Sequence, residues 1–412
     1  MKFRSVTLLG AATAALMLSV GGAAAQTNIE FIQWWEPELP PGFLRGIMDD
    51  FEAANPDIKV TLISGPFATT RDQVAVGAAS GTLSDVVGLD GAWVNSLYQQ
   101  GAITSLDALI EGAGYDASQV STMVSVDGTN VMIPLVSGVY PLFINLDIAE
   151  AAGVTEIPST RTEFAEAAKK MTDPSKNQYG WVLPLSLQTA NGVQNDVMSW
   201  LWASGGHMLA DGKPNLENEG VVDTLNFLSE LNQAGVISPG IFAKSEQDKV
   251  EEFASGRVGM MISAFVHANL IRERDPNLRF ALAALPAVEG YEGRRGLAFA
   301  SWGIGVSEGS ENKEEAWKLI EYLLTPEINA RIAAQTNMVP VNVNATPDLS
   351  DPVVASTFEI VQSGSLINEF VGAPVAEELM RDFGIEMQKQ FEGGQAAAEA
   401  AANAQKAWLA RF

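Results

Sequence analysis

The sequence predicts an α/β protein with two domains, and three observations lead to that prediction. The chain has 412 residues, which suits about two domains. In its first part, short apolar runs alternate with helical patterns, as is typical of a parallel sheet covered on both faces. Farther along, extended segments are interrupted by glycine and proline, which suits strands that cross between domains. With 47% hydrophobic and 18% charged residues, the chain can bury large cores.

The start of the chain has the pattern of a secretory signal peptide. Lys2 and Arg4 form a basic segment, residues 6–20 are apolar, and residues 23–25 (AAA) form a small-residue cleavage site. The mature chain is therefore expected to begin at Gln26 and to be a soluble protein of the periplasm. The sequence contains no cysteine, so neither disulfides nor a lipid-attachment cysteine are expected.

The first part of the mature chain is predicted as β-α-β-α-β-α. Phe43, Ile47 and Phe51 recur at helical spacing, which predicts an amphipathic helix that ends before Pro56. Gly81 can take the left-handed conformation that ends a later helix. The expected elements lie at 29–35, 43–51, 58–63, 70–80, 86–89 and 93–98.

The end of the strand at 86–89 is the first candidate site. Asp90-Gly91 is a turn dipeptide, and Trp93 opens the next helix. In open α/β sheets, ligands bind just outside the carboxyl ends of the strands. A carboxylate accepts hydrogen bonds from hydroxyls and an indole covers an apolar C–H face, so Asp90 and Trp93 suit a polyhydroxylated ligand. The alternative is that Asp90 only caps the helix and Trp93 only packs.

The rest of the chain mixes helices, short strands and extended crossings. Residues 135–141 are interpreted as the first hinge strand because Gly138 and Pro141 interrupt it. An alanine-rich helix is expected after Gly394, since alanine is the strongest helix former. Further strands are expected at 179–185, 258–262 and 280–285, and helices at 145–152, 160–171, 197–204, 221–234, 248–254, 313–324 and 326–335.

Composition and motifs exclude several classes of function. The formal net charge of −25 argues against binding to nucleic acid or to anionic membranes. It does not argue for a cationic ligand, because a binding site is local. The sequence has no Ser-His-Asp motif, no H-E-x-x-H and no phosphate loop. A secreted glycosidase that uses Glu36 and Asp90 as its carboxyl pair stays as an alternative.

Four blocks carry a resemblance to a known family. They are GTLSDVVGLDGAWVNSLYQQGAITSLDAL at 81–109, DGTNVMIPLVSGVYPLFINLDIAEAAGV at 127–154, FASGRVGMMI at 253–262 and NKEEAWKLIEYLLTPEINARIAAQTNMVPV at 312–341. In this order the chain resembles the extracellular solute-binding proteins of sugar-type ABC transporters, the maltose-binding-like branch of the periplasmic binding proteins.

The resemblance implies an α/β fold of the two-lobed type II class, with two mixed sheets flanked by helices and joined by hinge strands. The expected lobes are 26–136 with 287–338, and 137–286 with 339–412. It implies a monomer that is not an enzyme and uses no cofactor or metal. Its expected partners are a carbohydrate or polyol and the permease subunits of an importer in the inner membrane.

The resemblance also implies which residues face the ligand. Phe265 and His267 stand where many members end a strand with Gly-Ser-Trp, so the stacking platform of the second lobe is expected to differ. Trp302 stands where many members have paired glycines, so its indole is expected to fill part of the cleft and to select a smaller ligand. The full set of expected ligand-facing residues is Trp35, Glu36, Asp90, Trp93, Tyr140, Gln188, Asn191, Trp200, Phe265, His267, Trp302 and Asn337.

Two questions about this set stay open in the sequence. Trp34 and Trp35 are adjacent on an expected strand and face opposite sides, and Trp35 is assigned to the cleft. Trp200 and Trp202 cannot share a helix face, so one of them is core.

The other alternative to a sugar or polyol ligand is a charged solute. A polyamine would need several carboxylates, whereas an acidic or sulfonated sugar would need a cation such as Arg71, Arg294 or Arg295.

Overall fold

The structure is a computed structural model that describes residues 26–346 and 349–412. The expected signal peptide, residues 1–25, lies outside the described residues. The strands are β1 (Thr27–Gln33), β2 (Ile58–Ser64), β3 (Val86–Leu89), β4 (Val124–Val126), β5 (Thr129–Val139), β6 (Leu142–Asn145), β7 (Tyr179–Trp181), β8 (Leu209–Ala210), β9 (Lys213–Pro214), β10 (Val258–Ile262), β11 (Phe280–Ala283), β12 (Gly296–Val306), β13 (Val339–Pro340) and β14 (Ser365–Ile367).

The helices cover both main sheets. They are α1 (Phe43–Ala54), α2 (Phe67–Ser80), α3 (Val94–Gln99), α4 (Asp107–Ala113), α5 (Leu146–Ala151), α6 (Arg161–Met171), α7 (Met198–Trp202), α8 (Glu219–Gln233), α9 (Glu246–Ala254), α10 (His267–Arg274), α11 (Lys313–Leu323), α12 (Pro326–Thr336), α13 (Pro352–Ser363), α14 (Ala376–Phe391) and α15 (Ala397–Leu409). Among these described helices, none combines the length and apolar character needed to cross a bilayer.

The strands form two main mixed sheets, as the predicted fold class requires. The first sheet has the order β13-β5-β12-β3-β1-β2, with β4 beside β5 and β14 beside β12. Its strand β1 is parallel to β2 and β3, whereas β12 is antiparallel to β3 and β5. The second sheet has the order β11-β6-β10-β7 and also mixes both pairings. The α/β class with two mixed sheets is therefore confirmed.

The helices form where the sequence places apolar residues on one face. In α1, Leu44, Ile47, Met48 and Phe51 are buried, and this spacing of three to four residues makes one apolar stripe. Gly81 ends α2 with φ of 70°, the left-handed conformation that favours glycine. The alanine-rich α15 is present, as expected from its composition.

The chain passes from the first sheet to the second between β5 and β6. Strand β5 ends at Val139, and β6 begins at Leu142 in the second sheet. The expected hinge strand at 135–141 is therefore the end of a longer strand that also contains Pro134. Pro134 lies opposite Gly303 where the register of β5 and β12 shifts, so the N–H that proline lacks falls at an irregularity.

Two local predictions were wrong in this part of the chain. The expected helix at 197–204 begins earlier, as a π-helical turn over Val193–Val197 that continues into α7. After β10, where no helix was predicted, the chain turns into α10 at His267. Both differences lie where the chain reaches the space between the sheets, and π-helical turns are frequent at functional sites.

Candidate ligand-binding cleft

A cavity of about 420 Å³ lies between the two main sheets. That volume falls within the roughly 300–1,000 Å³ of small-molecule sites. The segment after β1 and the turn after β3 line one side of it, and the π-helical turn, α9 and α10 line the other. The lining of the cavity includes Trp34, Glu38, Phe67, Asp90, Tyr140, Asn191, Gln194, Asn195, Glu246, His267, Arg274 and Trp302.

Aromatic rings form the wall on the first-sheet side. The ring centroids of Trp34 and Phe67 are 5.3 Å apart, and those of Trp34 and Trp93 are also 5.3 Å apart, all in edge-to-face contact. Trp34 and Trp302 line the cavity, and Trp93 lines a pocket of about 10 Å³ beside it together with Asp90. These flat rings offer apolar surface to a ligand while their own edges pack against each other.

The assignment of Trp35 to the cleft is wrong, and Trp34 takes that place. Strand β1 ends at Gln33, whose side-chain oxygen accepts hydrogen bonds from the backbone N–H groups of Trp35 (2.6 Å) and Glu36 (2.9 Å). This turn removes both indoles from the strand's alternation. Trp35 is only 1% exposed and stacks flat behind Trp302, at 5.3 Å between centroids and 5° between planes.

Two carboxyl groups on this side lack a cationic partner among the described residues. Burial raises the pKa of Glu38 to about 8, and the neighbouring Glu246 carboxylate adds to that rise. Burial also raises the pKa of Asp90 to about 6, although its carboxylate accepts a hydrogen bond of 2.8 Å from the N–H of Ala92. Each of these carboxyls therefore holds its proton more tightly than a carboxyl in water.

On the opposite side, the carboxyls share a buried lysine. The Nζ atom of Lys249 lies 3.1 Å from Asp196 Oδ2 and 2.9 Å from Glu246 Oε1. Burial alone would lower the pKa of Lys249, but the two carboxylates outweigh it and raise that pKa. Asp196 belongs to the π-helical turn and Lys249 to α9, so this ion pair fixes the two elements against each other.

His267 presents a neutral imidazole to the cavity. Its Nδ1 atom lies 2.7 Å from the hydroxyl oxygen of Ser263, and burial lowers its pKa to about 4. A neutral ring carries one donor and one acceptor nitrogen, so the nitrogen away from Ser263 can serve a ligand in either role. Beside it, the π-helical turn places the amides of Gln194 and Asn195 at the cavity wall.

The structure brings half of the expected ligand-facing residues to this region. The main cavity is lined by Asp90, Tyr140, Asn191, His267 and Trp302, and the adjoining pocket by Trp93. Lining a cavity places a side chain within reach of a ligand, and the contact itself stays a prediction.

The other expected residues do not line it, for reasons visible in their packing. Trp200 is completely buried against Phe164 and Trp181 in the second core. Phe265 is completely buried in a cluster with Val139, Leu297 and Ile360. These two aromatic rings therefore stabilise the protein's interior, and their assignment to the cleft is wrong.

Three polar residues are also displaced from the expected site. The carboxylate of Glu36 accepts a hydrogen bond from the hydroxyl of Ser64, and Asn337 follows α12 and donates to Asn269 at 3.0 Å. The backbone carbonyl of Gln188 accepts a hydrogen bond from Arg71. Trp35 and these three leave the set of proposed ligand contacts.

Sequence reasoning missed Glu38 and Glu246 on opposite sides of the cavity. Glu38 lies in a loop rich in proline, and Glu246 is the first residue of α9, where acidic residues are common for reasons of helix stability. Neither position carries a local signal for ligand binding. Trp34 was missed because the turn after Gln33 was not predicted, and Phe67 because α2 begins there, before the predicted helix start at residue 70.

The cations that could have served an anionic ligand all have partners within the protein. Arg71 lines the adjoining pocket beside Trp93 and pairs with Asp72 and Glu377. The other two candidates donate to backbone carbonyls, Arg294 to Gln362 and Gly364, and Arg295 to Leu285 and Ser159.

Arg274 is the arginine that reaches the cavity wall, and it is held by Glu251 at 2.9 Å. Within residues 26–346 and 349–412, no group of three or more His, Cys, Asp or Glu side chains is arranged to hold a metal ion.

Comparison with known proteins adds a family and a fold. The sequence profile of the bacterial extracellular solute-binding proteins matches residues 35–330. A binding protein of Brucella abortus is 27% identical over 298 residues, which is 71% of each chain. An ABC transporter solute-binding protein from Thermotoga lettingae, bound with α-D-tagatose, superposes with a TM-score of 0.81 at 21% identity, covering 92% of this chain and 98% of that one.

A second solved structure has almost the same similarity. UgpB from Mycobacterium tuberculosis, in complex with glycerophosphocholine, has a TM-score of 0.80 at 18% identity and covers 93% of this chain and 98% of its own. At these identities the two structural likenesses establish the shared fold, a two-lobed arrangement of mixed sheets around a cleft.

Proposed function

This chain belongs to the bacterial extracellular solute-binding proteins, and on that premise we propose that it captures a sugar or polyol for an ABC importer. The loaded protein delivers its ligand to the permease subunits in the inner membrane. It acts in the periplasm as a soluble monomer, after removal of the signal peptide that residues 1–25 resemble. The tagatose bound to the Thermotoga lettingae protein supports a carbohydrate as the ligand.

The cavity between the sheets is the observation that carries this proposal. It combines the indoles of Trp34 and Trp302 with the half-buried carboxyls of Glu38 and Asp90 and with the amide of Asn191. Sugars have apolar C–H faces that stack on flat rings and hydroxyls that hydrogen-bond to carboxyls and amides. A hydrophobic pocket with a few convergent polar groups is the usual form of a small-molecule site.

Binding is coupled to closure of the two lobes, which we place at 26–136 with 287–338 and at 137–286 with 339–412. A ligand that touches both lobes stabilises the closed form by its differential affinity. Across the cleft, Asn95 Nδ2 donates to the carbonyl of Gly372 at 3.0 Å, and the N–H of Gly372 donates to the carbonyl of Gly91 at 3.0 Å. These contacts join the two sides in the conformation described.

Ordinary interactions suffice for useful affinity. Micromolar binding requires about −8 kcal/mol. Several buried hydrogen bonds at roughly 1 kcal/mol each, together with one or two stacked rings, supply that after the cost of association. The lining residues on both sides offer that number of groups.

The arrangement of Glu36 and Asp90 does not support the glycosidase alternative. That alternative required Glu36 and Asp90 to flank one bond of the substrate. The Glu36 carboxylate is bonded to Ser64 and does not line the cavity that Asp90 lines. We therefore propose a binding protein without catalytic activity, and incubation with aryl glycosides is expected to release no product.

A thermal-shift screen of sugars and polyols tests the proposal. A ligand that binds only the folded protein raises the melting temperature, and the rise grows with ligand concentration. Asp90→Ala is expected to weaken or abolish the shift while the variant still unfolds cooperatively. Glu36→Gln, on the neighbouring turn but away from the cavity, is the matched control. A panel of sugars and polyols that leaves the melting temperature unchanged would contradict the proposal.

A further inference from the structure

We infer that the ligand carries a protonated amine on its polyhydroxylated frame, and that this amine binds between the carboxylates of Glu38 and Glu246. This inference rests on the proposed sugar or polyol function and narrows its substrate class. The two carboxyls line the same cavity from its opposite sides. The target class is therefore an amino sugar or amino polyol, recognised by both lobes through one charged group.

The charge around the cavity is the first observation behind the inference. Glu38, Asp90 and Glu246 line it, and Arg274 is held by Glu251. Lys249 lies behind Glu246, but Asp196 shares that single ammonium. Among the described residues, the cavity therefore has more carboxyls than cations, and a ligand ammonium would supply the missing positive charge.

Unpartnered polar groups in the same wall are the second observation. Tyr140 is 9% exposed and Asn195 is 2% exposed, and both line the cavity. Within the described part of the chain, no hydrogen bond joins the Tyr140 hydroxyl or the Asn195 amide to another residue. Polar groups that face a cavity without a protein partner hydrogen-bond to water or to a ligand, so these groups suit a polar ligand that completes the wall.

In the described conformation, carboxyl groups from both sides of the cavity influence one another. Burial raises the pKa of Glu38, and the Glu246 carboxylate adds to that rise. Burial raises the pKa of Tyr140, and the negative charges of Glu246, Asp90, Glu38 and Asp196 add to that rise.

His267, which faces Glu246 and Lys249, is neutral and balances none of this charge. In the free protein Glu38 keeps its proton up to about pH 8. An ammonium between Glu38 and Glu246 would favour release of that proton to solvent, and it would then donate a charge-assisted hydrogen bond to each carboxylate. The indoles of Trp34 and Trp302 also suit a cation, since their faces carry negative potential.

Calorimetric titration with matched probes tests the inference. The pairs are D-glucose with D-glucosamine and D-galactose with D-galactosamine, measured at near-neutral pH. N-acetyl-D-glucosamine removes the charge, and D-glucuronate reverses it. We expect an amino sugar to bind about tenfold or more tighter than its neutral partner, because hydrogen bonds to charged groups exceed neutral ones by about that factor. N-acetylation is expected to remove the gain, and glucuronate to bind most weakly.

Variants then locate the charge that is responsible. Glu38→Gln and Glu246→Gln keep the shape of the side chain and are each expected to reduce the ratio of amino-sugar to neutral-sugar affinity. Glu36→Gln, two residues from Glu38 on the same turn, is expected to leave that ratio unchanged. Urea unfolding of each variant checks that it folds.

The outcomes separate the two levels of the proposal. Equal affinities for amino and neutral sugars, with no effect of Glu38→Gln on their ratio, would overturn the inference and leave the sugar-binding function standing. If the folded protein binds none of the probes, both fail. Tighter binding of glucuronate than of glucose would also overturn the inference.

Discussion

Asp196 is completely buried behind one wall of the cavity, whereas Glu38 is half-buried and lines the other wall, and the two carboxyl groups differ in their partners. Asp196 lies against the ammonium of Lys249 at 3.1 Å, and the pair is completely buried. Glu38 has no cation beside it among the described residues, and its pKa is raised to about 8. The first is a finished structural interaction, because removing either partner leaves a bare charge. The Glu38 carboxyl has no such partner in the described part of the chain, which suits a group that binds a ligand.

The same difference runs through the two walls. The wall on the first-sheet side consists of aromatic rings with isolated carboxyls at their edges. The opposite wall is held by the Lys249 ion pair and by the hydrogen bond between Ser263 and His267. The bonded groups fix the shape of the cavity, while the groups without a cationic or hydrogen-bonding partner among the described residues, Glu38 on one wall and Asn195 on the other, provide affinity. The following substitutions separate those two roles.

The largest expected effect is on stability, from Lys249→Met. Removing one partner of a buried ion pair leaves Asp196 unpaired, which costs about 3–5 kcal/mol of the free energy of unfolding. Urea denaturation measures this loss. Lys176→Met, in an exposed pair with Asp173, is expected to leave the stability nearly unchanged. Equal effects of the two substitutions would show that Asp196 needs no partner.

The next effect is a pH dependence of stability that originates at Glu38. The unfolded chain releases this proton near pH 4.5, whereas the folded protein keeps it until about pH 8. The folded state thus binds more protons in that window, so the free energy of unfolding falls as pH rises through it. The fall is on the order of 2–4 kcal/mol from this group. Urea unfolding across the pH range measures it, and Glu38→Gln is expected to flatten the slope.

His267 contributes a pH dependence of the free energy of unfolding that has the opposite sign. This contribution must be separated from that of Glu38. The pKa of His267 falls from 6.5 to about 4 on folding, so the unfolded chain binds the extra proton between those values. Stability therefore rises with pH over that lower window and is constant above it. The variant His267→Gln is expected to remove the rise and to leave the fall at higher pH. If the free energy of unfolding of Glu38→Gln still falls as pH rises, another group causes that fall.

A smaller effect, on affinity alone, distinguishes the wall from the core. Trp34→Ala removes a ring that lines the cavity and is expected to weaken sugar binding about tenfold, or about 1.4 kcal/mol. Trp200→Phe alters a completely buried ring and is expected to lower stability with little change in affinity. Titration and urea unfolding of both variants measure the two properties. The reverse pattern would restore Trp200 to the ligand site.

The smallest expected effect concerns the contacts that join the walls. Asn95→Ala removes one hydrogen bond to the carbonyl of Gly372, worth about 0.5–1.5 kcal/mol. The variant is expected to shift the ligand-free protein toward a more open form, seen as a larger radius of gyration in solution scattering. Addition of the sugar found in the screen is expected to restore the compact form. A radius of gyration equal to that of the unaltered protein, both with and without sugar, would show that these contacts do not hold the lobes closed.

Local pattern predicted the elements well where each is made by its own residues. The apolar run at 86–89 is a buried strand, and the spacing of Leu44, Ile47 and Phe51 makes the buried face of α1. Prediction failed where contacts with distant segments decide the outcome. Ser64 of the neighbouring strand holds the Gln33 side chain, which accepts from the N–H of Trp35 and forms the turn that carries Trp34 to the cavity. The register shift beside Gly303 of β12 accommodates Pro134 in β5.

The sequence by itself determined the α/β class, the alternation of strands and helices, and the placing of Asp90 at the end of a strand. Only the tertiary structure decided that Glu38 and Glu246 line one cavity, that Trp35 and Trp200 are core, and how strongly each carboxyl holds its proton. The physical reason is range. Backbone preferences and apolar spacing act between neighbours in the chain, whereas burial and the field of other charges depend on which distant segments meet.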